Sequence, residues 1–271
     1  MTDGWLGGDL AEDSNNRFAS AYDDFNKRYQ NTRWTGRLLE RAEAAGLQGN
    51  RLLDVACGTG LSFIPMLRRD FLVTGCDVSS AMLDIAREKV GDLAELRKAD
   101  MRELPIFGPF DLVWAVNDPI NYLLSMEELV ACLKGMRRNL AGDGIIVFDV
   151  NTLNTYRTFF AETLTVEVNS RKLVWTGLAN PREARPGMIA EARFEAAGEA
   201  DSVHLHKQRH FGEDEVREAL KVAGLNLVEV SGEANGDLLR PLDEEVHGKA
   251  VYVCKARTQE SLNPAAGGRG D

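Results

Sequence analysis

Leu52-Leu53-Asp54-Val55-Ala56-Cys57-Gly58-Thr59-Gly60 is the stretch whose reading decides the fold. An apolar run enters an acid, then small residues and two glycines. That is the pattern of a buried parallel strand ending in a tight loop that opens a helix. Glycines serve there because the backbone must turn sharply and let a ligand approach closely. The stretch points to a nucleotide-like cofactor. A dinucleotide loop needs a third small residue, and Phe63 stands there instead. A phosphate-binding loop needs Gly-Lys-Ser/Thr, which is absent. Asp54 would repel a pyrophosphate but suits a cationic ammonium, held directly or through water.

Outward from this loop the chain alternates strands and helices. Helices are expected over 15–29 and 35–45, strands over 51–55 and 71–77, and a helix over 61–69 with Ser62 as cap and Pro65 in its first turn. Residues 79–90 read as a helix capped by Ser79, 94–99 and 111–116 as strands, and 125–140 as a helix opened by the capping box of Ser125 and Glu128. A strand over 144–150 completes a series that implies parallel strands with right-handed crossovers. Then the pattern changes. Segments 164–168, 172–176, 188–194 and 203–210 read as strands joined by short turns, hence antiparallel. A helix over 213–223 and strands over 225–230 and 250–255 return to the first pattern.

The next acids fall at strand ends. Asp77 ends the second strand at a spacing suited to ribose hydroxyls, and Asp100 ends the third, where it can accept from an adenine amino group. Each acid alone is most simply a cap or a solvated strand end; three in register at the carboxyl edge of a sheet are not. With Gly75-Cys76-Asp77-Val78-Ser79-Ser80-Ala81-Met82-Leu83, Ala99-Asp100-Met101, Phe110-Asp111-Leu112-Val113 and Leu140-Ala141-Gly142-Asp143-Gly144, the chain resembles the class I S-adenosylmethionine-dependent methyltransferases; over residues 117–123 and 147–152, and in the insertion after the fifth strand, it resembles the small-molecule amino-sugar N-methyltransferases in particular. It departs from their pattern at Ala56, where a glycine is frequent, and at Asp143. The resemblance implies S-adenosyl-L-methionine as cofactor. Asp54, Ala56, Gly58 and Gly60 would line its methionine portion, Asp77 would hold the ribose, Val78 and Met82 would sandwich the adenine, and Asp100 with Met101 would read its edge.

The acceptor side is less defined. Asn117, Asp118, Asn121 and Tyr122 follow the fourth strand, beside the expected reactive methyl, with a plain turn before Pro119 as the alternative. Phe18, Tyr22, Phe25 and Tyr29 share one helical face, which reads as a core stripe, although Tyr22 resembles a residue of the family's lid helix over the cofactor; Trp34 is a second lid candidate. Strand alternation puts His204, His206, Gln208 and His210 on one face. This face lines the acceptor pocket, with His206 or His210 as general base, or it is solvated; no third ligand type completes a metal site, so no metal is expected. The catalytic candidates are therefore His206, His210, Asn117 and Tyr22. His247 reads as a solvated loop residue.

Composition bounds the rest. The 271 residues carry a formal charge of −10 and are 44% apolar. That disfavours nucleic acid and anionic membranes as partners and leaves a homo-oligomer open. No run spans a bilayer, the N-terminus lacks signal-peptide regions, and the four unpaired cysteines read as reduced thiols of a cytoplasmic protein.

The expected fold is α/β: a Rossmann-like, seven-stranded, mostly parallel sheet of order 3-2-1-4-5-7-6, with an antiparallel β insertion after strand 5. Residues 14–151 form the cofactor core with its lid helices, 152–212 the insertion over the acceptor pocket and 213–257 the rest of the core. Residues 1–13 and 258–271 read as disordered tails. The expected reaction is methyl transfer to a small-molecule acceptor, an amine of a natural-product (antibiotic) intermediate. A histidine-assisted O-methyltransferase, a protein methyltransferase and a cofactor-binding regulatory protein stand as alternatives.

Overall fold

The computed structural model describes residues 19, 21–26, 31–196 and 203–257. The expected tails, Phe18 and Tyr29 lie outside them.

Helices α1 (residues 21–26) and α2 (Asn31–Ala44) lead into β1 (Arg51–Val55), α3 (Ile64–Leu67), β2 (Leu72–Asp77), α4 (Ser80–Val90), β3 (Ala94–Lys98), β4 (Phe110–Ala115), α5 (Met126–Arg138) and β5 (Leu140–Asn151). After α6 (Leu153–Arg157) come β6 (Thr163–Val168), β7 (Arg171–Gly177), β8 (Ile189–Ala196) and β9 (His204–Arg209), then α7 (Glu213–Ala223), β10 (Leu225–Ala234), β11 (Asp237–Leu239) and β12 (Lys249–Ala256).

The main sheet runs β11-β10-β12-β5-β4-β1-β2-β3, and β6-β7-β8-β9 form a second, antiparallel sheet. Strands β1 to β5 are parallel; β12 pairs antiparallel with β5 and β10. The expected strand order is present with one addition. The sheet has eight strands rather than seven, because Asn235-Gly236, both at positive φ, turn β10 back onto the short β11. Two left-handed residues are what a tight hairpin of this twist demands.

Apolar residues of β1, β4 and β5 alternate between two cores. Leu53, Val113 and Ile146 pack towards α5 and α7, while Leu52, Leu112 and Val147 pack towards α2 and α4. A third cluster joins Phe25 of α1 to Met82, Tyr156, Phe160, Trp175 and Phe194. Thus α1 is gripped by the antiparallel sheet, with Phe25 5.3 Å from Phe194 edge-on and 6.1 Å from Trp175.

Helix α3 is shorter than the expected 61–69. Residues 61–63 form turn instead, because Phe63 folds beneath the loop, where its ring lies against Gly60 and Gly75. Ser62 is accordingly no cap; its hydroxyl donates to Asp54 Oδ2 at 2.5 Å. Ser79 does cap α4, accepting from Met82 N at 3.1 Å. At α5 the Ser125 cap forms, but Glu128 reaches Leu124 N rather than the cap's own amide.

Candidate functional site

The carboxyl ends of β1, β2 and β4, helix α1 and the antiparallel sheet enclose one cavity of about 640 Å³. Ala56, Gly58, Asp77, Val78, Met82, Asp100, Met101, Asn117, Asp118, Tyr122, Tyr22, Trp34 and His206 all line it. Among the expected residues, Asp54, Gly60, Asn121, His204 and His210 do not.

One end is built by the loop after β1. Ala56, Gly58 and Gly60 all have positive φ (57°, 53° and 87°), so the backbone coils tightly, with Gly58 N turned onto Asp77 and Gly60 N onto Cys57 O. The two glycines differ. A Cβ on Gly58 would meet nothing within 4 Å, so its open side faces the cavity. A Cβ on Gly60 would strike the Phe63 ring at 2.7 Å. Gly60 is therefore a packing glycine, and its expected place along the methionine portion is corrected.

Asp77 is buried at the tip of β2. Oδ2 accepts from Gly58 N at 2.8 Å and Oδ1 from Ser79 N at 2.9 Å. Burial raises its pKa, and the amides of Ser79, Gly58 and Val78 oppose that. Three amides leave the carboxylate with acceptor capacity for a further donor in the cavity. Asp54 lies one layer deeper, behind Ser62, which lines the cavity. Burial pushes the Asp54 carboxyl up to about 7, with the Ser62 hydroxyl and the Trp114 indole pulling it back. Its Oδ1 has no hydrogen-bond partner among the described residues. Asp100 is paired rather than open: Arg102 forks onto it, with Nη2 donating to Oδ2 at 2.5 Å and Nε to Oδ1 at 3.0 Å, and reaches Glu128 at 3.5 Å. Burial alone would raise the Asp100 carboxyl, but the Arg102 guanidinium wins and holds it low.

These residues fit S-adenosylmethionine. A buried acid with an orphaned oxygen stands behind the glycine loop, an acid at the end of β2 faces the cavity, and Val78 and Met82 supply apolar walls.

The lid side rests on α1. Asp23 accepts from the Thr59 hydroxyl at 2.5 Å and pairs with Lys89, which also donates to Thr59 O at 2.9 Å. This ties the helix to the glycine loop. Burial, with Asp118 adding to it, pushes the Tyr22 phenol well up, so it stays protonated.

The opposite wall holds Tyr122, Phe159, Trp175, His206 and Gln208. Of the two readings of the histidine face, the solvated one falls: His204, His206, Gln208 and His210 share a buried face, from which His206 and Gln208 line the cavity. Tyr122 Oη lies 2.9 Å from His206 Nδ1. Burial, reinforced by His204 and opposed by Asp118, pushes His206 down to about 4. That makes it a poor proton acceptor at neutral pH. His210 is excluded as base by position. It is fully buried, Nε2 is 2.8 Å from Glu244 Oε2, and Nδ1 accepts from Gly187 N at 3.3 Å. His204 stacks on Phe194, outside the cavity wall. Asn121 is a clamp rather than an acceptor contact, since its amide joins Arg209 O (2.9 Å) and Asn151 N (2.8 Å). His247 is buried, not solvated, with Nδ1 accepting from Asp243 N at 2.9 Å.

Sequence reading missed Lys249, Asp149 and the hairpin residues Glu233, Asn235 and Gly236. Lys249 bridges Asp118 and Asp149, and the hairpin residues line the cavity beside Arg33. The Asn-Gly pair was a legible hairpin signal; nothing local marked Lys249. No group of three or more His, Cys, Asp and Glu suited to a metal ion occurs among the described residues, and no helix among them is long and apolar enough to cross a membrane.

Comparison with known proteins gives the same picture. Residues 52–144 match the model of a methyltransferase domain. The chain is 32% identical over 225 residues to the putative methyltransferase YqeM of Bacillus subtilis (strain 168), covering 80% of this chain and 88% of that protein. It is 27% identical over 190 residues to the dTDP-3-amino-3,6-dideoxy-alpha-D-glucopyranose N,N-dimethyltransferase of Streptomyces fradiae, covering 68% of this chain and 73% of that one. Among solved structures, an S-adenosylmethionine-dependent methyltransferase from Clostridium acetobutylicum ATCC 824 superposes with a TM-score of 0.73 at 20% identity, covering 90% of this chain and 99% of its own. The chain belongs to the class I S-adenosylmethionine-dependent methyltransferases and takes S-adenosyl-L-methionine as its cofactor.

Proposed function

We propose that this enzyme N-methylates a small-molecule amine, an intermediate of natural-product biosynthesis. Bound S-adenosylmethionine supplies a methyl group that its sulfonium makes electrophilic. Asp77 would hold the ribose, Val78 and Met82 the adenine, and the loop from Ala56 to Gly58 the methionine portion, with Asp54 behind Ser62. The residues facing the acceptor then have to align a nucleophile and exclude water.

One observation carries the choice of nucleophile. The histidine that lines the cavity, His206, is held down at about 4 by burial, and Tyr22 and Tyr122 are held up, also chiefly by burial. None of them is tuned to take a proton from a hydroxyl near neutral pH. An amine attacks with its own lone pair and needs no such base. Asp118 and the rings of Tyr22, Phe159 and Trp175 line the same space. Aromatic walls suit an alkylamine that binds in its neutral form, with its lone pair free. The similarity to a sugar N,N-dimethyltransferase supports the reading.

The test is turnover of labelled cofactor with free and nucleotide-linked amino sugars, peptide N-termini, phenols and carboxylic acids. Amines are expected to be methylated, with a rate that climbs with pH as the acceptor amine loses its proton. Turnover confined to phenols or carboxylates would refute the reading.

A further inference from the structure

Asn117 and Asp118 are consecutive non-glycine residues in the left-handed region, with φ of 71° and 60°. Such residues are uncommon singly, and a pair must be held by its surroundings. Here the hold is one buried carboxylate. Asp149, fully buried on β5, accepts from Asn117 N at 2.9 Å with Oδ2 and from Asp118 N at 2.5 Å with Oδ1.

That arrangement has an electrostatic cost. It draws the Asp118 carboxylate towards the Asp149 carboxylate, two like charges in a poorly solvated place. Lys249, the first residue of β12, stands between them. Its Nζ lies 2.6 Å from Asp118 Oδ1 and 3.3 Å from Asp149 Oδ1. No other cation among the described residues pairs with either acid. Gln208 of β9 completes the frame, donating from Nε2 to Asp118 Oδ2 at 2.9 Å while its Oε1 accepts from Asn151 Nδ2 at 2.9 Å. Burial works against the Lys249 ammonium, yet Asp118 and Asp149 together outweigh it and keep it charged. Tyr22, Tyr122, Tyr156 and His206 also face Asp118. Asn117, Asp118, Gln208 and Lys249 all line the cavity that Ala56, Gly58 and Asp77 line from the other side.

We propose that Lys249 is a positioning residue for methyl transfer: by neutralising Asp118 and Asp149 together, it sets the Asn117–Asp118 turn of the cavity wall. This assignment does not depend on which nucleophile is methylated.

The test uses the full chain as Lys249→Met, Lys249→Arg and the double variant Lys249→Met/Asp118→Asn. Lys249→Met leaves two carboxylates facing each other without a cation. The double variant removes the second carboxylate and restores the single net negative charge of the trio. Amide resonances of Asn117 and Asp118 read the turn itself, and calorimetric titration with S-adenosylhomocysteine reads the consequence for binding. In Lys249→Met both resonances should move and affinity should fall about fivefold or more. In Lys249→Arg both readouts should return towards wild type, and in the double variant so should the Asn117 resonance and the affinity. Should Lys249→Met fail to fold, recovery of fold and resonances in the double variant and in Lys249→Arg still supports the proposal. A double variant as impaired as Lys249→Met overturns it, because Lys249 then acts by packing and not by charge. Unmoved resonances or unchanged affinity in a folded Lys249→Met overturns it as well.

Discussion

Substituting the two glycines of the loop after β1 by alanine should separate packing from binding. At Gly60 an alanine would sit at φ 87°, which costs a non-glycine residue about 1–2 kcal/mol. Its Cβ would lie 2.7 Å from Phe63 Cζ. Phe63 is fully buried and also packs under Gly75, so the ring has no room to retreat, and overpacking of this kind costs about 1–3 kcal/mol. The sum, about 2–5 kcal/mol, corresponds to a melting temperature lower by roughly 4–20 °C for a chain of this size. At Gly58 the backbone strain is similar, with φ 53°, but the Cβ meets open cavity. Gly58→Ala should therefore lose only about 1–2 kcal/mol of stability. Its added methyl stands where the cofactor must lie against the loop. The same overpacking cost, transferred to the complex, weakens binding about 5- to 150-fold. Thermal denaturation and calorimetric titration with S-adenosylhomocysteine measure the two effects. A Gly60→Ala protein that melts like wild type, or a Gly58→Ala protein that binds like wild type, would refute the distinction.

Asp77→Ala should weaken S-adenosylhomocysteine binding about 100-fold or more, since two hydrogen bonds to a charged group are worth about 3–6 kcal/mol; unchanged calorimetric affinity would remove Asp77 from the ribose site. Asp54 carries a pH signature. Its folded pKa is raised to about 7 from the ordinary 3.8, so its favourable contribution is complete below about pH 4 and is lost as pH rises through 7. The stability of Asp54→Asn relative to wild type should thus grow across that window, by on the order of 4 kcal/mol. Parallel melting curves from pH 4 to 8 would contradict it. Asp23→Asn should lower S-adenosylhomocysteine affinity by about fivefold at most, because the Asp23 contacts are partly exposed, and a lowered melting temperature with unchanged affinity would count against a lid. His210→Ala should destabilise the fold by about 1–3 kcal/mol by stranding Glu244, with cofactor affinity intact; a loss of affinity instead would return His210 to the site.

The cavity wall built by the ends of β1 and β2 was legible because its signals are local. Strand, loop and cap follow one another within Leu52–Gly60 and Val73–Met82, and Asp77 can point only where the strand end puts it. The opposite wall of the cavity is assembled from segments far apart in the chain. Asp118, Asp149, Gln208 and Lys249 meet through the pairing of β5 with β12 and the approach of β9, which no local pattern states. The histidine strand shows the limit well. Alternation correctly grouped His204, His206 and His210, yet which face is covered depends on α1 docking against Phe194 and Trp175. The helical period of residues 61–69 was real in sequence, but Phe63 is drawn under Gly60, and a buried ring outweighs one turn of weak helix.

Helix α1 touches both walls. Asp23 holds it to Thr59 and Lys89, while Phe25 lies between Trp175 and Phe194. A ligand that shifts this helix from one side alters the surface offered to a ligand on the other. Thermodynamic linkage makes such a coupling reciprocal: whatever factor the donor adds to the affinity for the acceptor, the acceptor returns to the donor. A departing product that relaxes α1 would loosen its companion by that same factor, so the departures of the two products are coupled through the attachments of one short helix.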